Sequence, residues 1–138
     1  MTGFYMEITT TYAIDGDEDT IQLTCPAEYL RDGNARVIIY DEYGDDGDVT
    51  HTVMRVGGGQ VAIGRTGAIT LDLILRNGAA WRGEYRVMGQ VIDIECHAMN
   101  ISHHLTDEGG EIDLLYRVSL GDVLSTNRVV AKIRRSLE

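Results

Sequence analysis

The stretch QVIDIECHA, residues 90–98, decides the fold. Ile92, Ile94, Cys96 and Ala98 fall on one side of it, Asp93, Glu95 and His97 on the other. Successive side chains of an extended chain point to opposite faces, so this period of two predicts a strand with its apolar face inward and its polar face outward. The same reading extends in both directions. Toward the N-terminus, Leu71, Leu73 and Leu75 share a face against Thr70 and Asp72, and Val61 and Ile63 share one with Arg65. Toward the C-terminus, Ile112, Leu114, Tyr116, Val118 and Leu120 fall together, as do Asn127, Val129, Ala131 and Ile133. Helical spacing explains none of these runs better.

Between the runs stand short clusters of glycine with Asp or Asn: IDGDED at 14–19, RDGN at 31–34, YGDDGD at 43–48, GGG at 57–59, RNG at 76–78, MG at 88–89, DEGG at 107–110 and LGD at 120–122. Glycine supplies positive φ and Asp or Asn tolerates it, so these are hairpin turns. About ten strands follow, near 5–13, 19–30, 35–43, 48–57, 60–66, 68–76, 80–88, 90–104, 111–120 and 123–135, with ends good to ~2–4 residues. Such short connections make consecutive strands antiparallel neighbours, because a parallel return needs a long crossover. A flat meander of ten would leave two bare edges. Closure into an up-and-down antiparallel β-barrel removes them, and residues 1–138 are expected to form one such all-β domain.

Composition agrees and excludes several functions. Hydrophobic residues make up 43% and charged residues 25% of 138, a globular balance, while 16 glycines against one proline suit many tight turns. The formal charge of −10 repels phosphate backbones and anionic lipid, so neither nucleic acid nor a membrane surface is an expected partner. The first twenty residues lack a basic segment followed by an apolar run, which predicts no secretory leader and a cytoplasmic location. In that reducing setting Cys25 and Cys96 are expected to be buried free thiols.

The blocks ITTTYAIDGDEDTIQL at 8–23, Tyr40-Asp-Glu42, VAIGRTG at 61–67 and LTDEGGEIDLLYRVSLGDVLSTNRVVAKIRR at 105–135 resemble the YwiB-like family of small bacterial barrels within the calycin-like superfamily. The resemblance covers nearly the whole chain, in order, and the last block is its most specific part. It implies a calycin-like, lipocalin-like barrel and carries no biochemical activity with it. By analogy with lipocalins it also implies an interior able to hold a ligand. One departure stands at 85–89, where Tyr85-Arg-Val-Met-Gly89 replaces an expected Pro-Tyr-Gly turn.

Candidate chemistry lies in polar residues that the alternation turns inward. Arg65 follows Val61 and Ile63 in register, so its guanidinium needs a carboxylate partner or an anionic ligand inside the barrel. Tyr40 and Glu42 share a face of the third strand and could supply such partners, and Tyr116 and Asn127 are similarly placed. Tyr40, Glu42, Arg65, Tyr116 and Asn127 are therefore the expected ligand-binding set, for a small amphipathic or acidic molecule with its tail against residues such as Leu73 and Ile94. The competing reading is an internal polar network satisfied within the protein, in a packed structural or protein-interaction barrel. Volume decides between them, since ligand pockets start at about 300 Å³.

Other signals are weaker. His97 and His103, six apart, would share a strand face in the absence of a bulge, but nothing in the spacing converges further ligands for zinc. Asp15-Gly-Asp17-Glu-Asp19 alternates carboxylates, yet Thr20 and Pro26 stand where a calcium loop needs glycine and glutamate. Cys96 and His97 are adjacent on a strand and face opposite sides, and no nucleophile, phosphate-loop or dinucleotide motif occurs. A hydrolase or isomerase is thus the least expected class, and no cofactor or metal is expected. Trp81 and Tyr85 read as barrel core or end cap.

Overall fold

A computed structural model describes residues 3–136. It consists of ten strands: β1 (Phe4–Ile14), β2 (Asp17–Asp32), β3 (Ala35–Tyr43), β4 (Val49–Gly57), β5 (Gln60–Gly67), β6 (Ile69–Arg76), β7 (Ala80–Val87), β8 (Gln90–Thr106), β9 (Gly109–Leu120) and β10 (Val123–Arg135). Each pairs antiparallel with its sequence neighbours, and β10 returns to β1, so the sheet closes on itself. All ten expected strands are present.

The period of two sets the inside. Met6, Ile38, Leu75, Ile112, Leu114 and Ile133 are fully buried, and each lies on the inward face of a different strand or a different level of the same one. At roughly 1.5–3 kcal/mol per buried aliphatic side chain, this lining is the main stabilising contribution. One end of the barrel is plugged. Phe4 and Tyr29 meet edge to face at 5.1 Å, Arg36 lies over Tyr29 and Arg135 over Phe4, and the Tyr29 hydroxyl donates to Thr106 O at 2.6 Å. Arg36 also pairs with Asp107 at 2.8 Å. The β1–β2, β3–β4, β5–β6, β7–β8 and β9–β10 turns surround the opposite end, here called the rim.

At 85–89 the chain builds a two-residue hairpin: Val87 pairs with Gln90 across Met88 (φ 52°) and Gly89 (φ 77°). Two successive positive φ values match the strand twist, the same solution that Asp15 and Gly16 give between β1 and β2. Met88 adopts this backbone without being glycine, and its side chain stands in solvent.

Strand β8 carries one irregularity, a bulge between Ala98 and Asn100. The extra residue shifts the alternation by one, so Ile101, His103 and Leu105 lie opposite Leu114, Ile112 and Gly110 on the barrel-facing side. His97, before the bulge, faces outward. The two histidines therefore lie on opposite faces, correcting the shared face that their spacing suggests. Past the bulge β8 leaves β7 and takes up the β6–β7 turn: Gly78 N donates to Ala98 O at 2.9 Å and Ile101 N to Asn77 Oδ1 at 2.6 Å.

The wall is not uniformly laddered. Strands β6 and β7 pair only from Ile69↔Val87 to Leu71↔Tyr85. On the barrel-facing side of the unladdered stretch the Trp81 indole lies over Gly83, so close that a Cβ there would sit 2.1 Å from the ring. Strands β2 and β3 pair from Asp32↔Ala35 to Glu28↔Ile39 and then part.

Candidate functional site

The rim half of the interior holds a cavity of about 260 Å³. Tyr40, Glu42, Arg65 and Tyr116 all line it, above a wall that includes Ile8, Leu23, Met54, Leu71 and Leu73. The ladders explain the convergence. Tyr40 stands opposite Thr52 and Thr52 opposite Arg65, so β3, β4 and β5 present three polar inward side chains in one row, with Glu42 one pleat nearer the rim. Tyr116 arrives from the other side of the barrel on β9, opposite Ala98. Asn127, the remaining residue of the expected set, is opposite Tyr116 but donates its amide to Ser125 Oγ at 2.9 Å and is not among the residues lining the cavity.

Arg65 Nη2 donates to Glu42 Oε2 at 2.8 Å, with 24% and 32% of the two side chains exposed. The charge is thus answered inside the protein, but the hydrogen bonding is not complete. Arg65 Nε is buried with no acceptor, and so is Thr52 Oγ1 beside it, a hydroxyl on a fully buried residue. Thr52 and Tyr40 face each other across the ladder, close enough for the Thr52 hydroxyl to temper the rise in the Tyr40 pKa. An unmet buried donor of this kind costs roughly 1–3 kcal/mol, so the row is built to receive an acceptor or holds that cost unrelieved.

Both phenols resist ionisation. Burial pushes Tyr116 up to about 12, with Cys96 adding and Arg65 opposing. Burial likewise raises Tyr40, with the Glu42 carboxylate adding and Arg65 again opposing. At neutral pH each therefore carries a proton it can donate. Burial also raises the Cys25 thiol, helped by Glu42 and Asp41, and Cys96 to about 11 with Glu95 contributing. Both thiols are free and buried, and neither is activated as a nucleophile.

Beside this cavity the wall opens where β2 and β3 part. A groove of about 500 Å³ lies between them, floored by Leu23, Cys25 and Tyr40 and flanked by Pro26, Ile39, Asp41 and Tyr43. Leu23 and Tyr40 line both spaces, so groove and interior cavity adjoin. The opening has a cause in the sequence. In the β2–β3 ladder every second residue directs its N–H and C=O across the gap, and beyond Glu28 the next such residue on β2 is Pro26, opposite Asp41. Proline has no N–H to give, so the ladder stops there. The chain's one proline is the signal that sequence reasoning could have used and did not.

The rim has its own character. Asp15, Asp17, Glu18, Asp19, Asp45, Asp46, Asp48 and Asp122 crowd its turns and the start of β2, and the five turns carry no Lys or Arg. Exposed apolar side chains gather there too, including Tyr43, Met88, Val91, Val123 and Leu124. No group of three or more His, Cys, Asp or Glu positioned to hold a metal occurs among the described residues.

Comparison with known proteins fits the geometry. A family model described as "Domain of unknown function (DUF1934)" matches residues 6–130. The uncharacterised β-barrel protein YwiB of Bacillus subtilis (strain 168) is 26% identical over 108 residues, covering 78% of this chain and 75% of that protein. The crystal structure of the ywiB protein from Bacillus subtilis superposes with a TM-score of 0.83 at 20% identity, covering 95% of this chain and 92% of the other. The expected likeness to the YwiB-like family is thereby shown, and the closed antiparallel barrel is shared.

Proposed function

Since the chain belongs to the family described as a domain of unknown function, DUF1934, its role has to be read from its own interior, and we propose that the barrel binds a small amphipathic molecule. The observation that carries this is the buried, unpartnered Arg65 Nε in a cavity that also holds Glu42, Tyr40 and Tyr116. A ligand head that accepts from Arg65 and from the phenols would relieve that unmet donor, while Leu71, Leu73 and Met54 take its apolar part. At about 260 Å³ the cavity lies below the ~300 Å³ bound set for ligand pockets, which weighs toward the packed reading and leaves room only for a ligand smaller than drug-sized. At about 30 Å³ per water-sized group it holds about nine non-hydrogen atoms, which sets the size of what the interior alone accepts.

Charge selects the head. Glu42 already neutralises Arg65, and eight carboxylates stand at the rim, so a carboxylate ligand is disfavoured relative to an uncharged alcohol or amide of the same length. The reading narrows the expected amphipathic or acidic ligand to an uncharged one. Calorimetric titration with 1-octanol and with octanoate tests it. The alcohol should bind and the carboxylate more weakly, and Arg65→Ala should lower the alcohol's affinity by about 10–100-fold, the range of a hydrogen bond to a charged group. Failure of both to bind the wild-type protein would leave the reading without support.

A second reading, an interaction barrel with no small ligand, draws on the apolar rim, where Met88 is 93% and Tyr43 72% exposed. It would gain ground if a purified stoichiometric partner lost its binding to a Tyr43→Ser, Met88→Ser, Leu124→Ser variant. That reading takes the interior polar row as a network satisfied within the protein, and the unmatched Arg65 Nε is why the ligand is preferred. We place the protein in the cytoplasm, where Cys25 and Cys96 persist as thiols.

A further inference from the structure

The groove between β2 and β3 is larger than the cavity it adjoins, at about 500 Å³ against about 260 Å³. A ligand confined to the interior would leave this space to solvent, although its floor is Leu23, Cys25 and Tyr40, all inward-facing side chains that belong to the core lining. The groove exists because Pro26 ends the ladder, and it ends it at the level of the polar row: Tyr40 is at once the floor of the groove and the first member of the row Tyr40, Thr52, Arg65. Head site and groove thus lie on two sides of a single aromatic ring.

We propose that the β2–β3 groove is a tail subsite: it takes the aliphatic chain of a single-chain amphiphile whose polar head sits on Arg65 and Tyr116 in the interior. The proposal rests on the interior-binding reading above and adds the ligand's class, an elongated chain longer than the interior alone can hold. Three observations support it. The two spaces share Leu23 and Tyr40. The inward-facing lining of the groove, Leu23, Cys25, Ala27 and the Tyr40 ring, is apolar, while its charged residues, Glu28, Asp41 and His51, stand on the outer face with Thr24, Pro26 and Ile39. Asp41 and His51 are tied to one another at 2.7 Å and so do not compete for a chain lying inside them.

Chain length is the readout. Each methylene moved from water into an apolar groove contributes about 0.8 kcal/mol, or about fourfold in affinity. For wild-type protein titrated with n-alkyl alcohols of increasing length, affinity should keep rising by about fourfold per methylene beyond the ~9 non-hydrogen atoms that the interior accommodates. In an Ala27→Phe variant, which fills the groove and leaves the polar row intact, the rise should stop near that length. Cys25 gives a measurement independent of affinity: long alcohols should slow its modification by methyl methanethiosulfonate at least tenfold, and short ones should not. Short alcohols that bind while longer ones gain nothing, with Cys25 labelled at the same rate throughout, would overturn the tail subsite and leave the head site standing. Absence of binding at every length would overturn the interior reading and this one with it.

Discussion

Arg65 and Glu42 hold each other at 2.8 Å inside a barrel whose rim is crowded with carboxylates, and on the proposed reading that pairing sets which head group the interior takes. Replacing Glu42 with Gln keeps a side chain of the same shape and leaves the guanidinium charge unanswered. The preference should then invert: Glu42→Gln is expected to bind octanoate more tightly than octanol, read by the same titration, and an unchanged preference would show that the pair does not set selectivity. Tyr116 and Tyr40 give a second residue-scale prediction. Their folded-state pKa values lie above the ordinary phenol, so the buried phenols contribute stability that is complete below about pH 10 and is lost as pH rises toward 12. Tyr116→Phe removes one group that must ionise, and its alkaline unfolding midpoint, followed by tyrosinate absorbance, should move upward. That Tyr40, Glu42, Arg65 and Tyr116 line one interior cavity was legible because parity alone turns them inward. Thr52 was not, because a threonine in a strand is ordinary and only the ladder shows it standing between Tyr40 and Arg65. Asn127 satisfied the same parity, yet its amide turned to Ser125, a local hydrogen bond that alternation does not foresee.

At the scale of the elements, Pro26 makes the clearest prediction. Pro26→Thr restores the missing N–H opposite Asp41, in a residue type suited to strands, so β2 and β3 should zip one or two rungs further. Amide hydrogen exchange at Asp41 and Tyr43 should slow by at least tenfold while the β3–β4 ladder is unaffected; exchange as fast as in the wild type would mean that something other than the proline holds the strands apart. All ten strands were legible because turn chemistry and the period of two agreed at each one. The two partings of the wall were not. Alternation belongs to each strand by itself, and a pairing that stops halfway along a strand leaves it intact. The bulge in β8 escaped for a related reason: Ile94, Cys96 and Ala98 alternate correctly before it, Ile101 and Leu105 after it, and only the sum is off by one.

The whole molecule carries a formal charge of −10, and eight of its carboxylates gather at one end while the plugged end is laced with ion pairs such as Arg36–Asp107 and Arg135–Glu108. Self-repulsion at the rim opposes folding and is screened over about 10 Å at 0.1 M salt. The thermal midpoint should therefore rise as sodium chloride is raised from low to physiological ionic strength, and Asp45→Asn with Asp46→Asn should reduce that dependence. A midpoint that falls with salt would mean that the exposed ion pairs outweigh the rim. Closure of the barrel by β1 and β10, with Phe4 opposite Arg135 and Ser136 N donating to Gly3 O at 2.9 Å, has a consequence in time. On the ribosome, where a chain grows at about 5–20 residues per second, β1 emerges first and its final partner last. For several seconds the nascent protein is an unrolled ribbon with a bare margin, and only release of the last strand lets the cylinder shut.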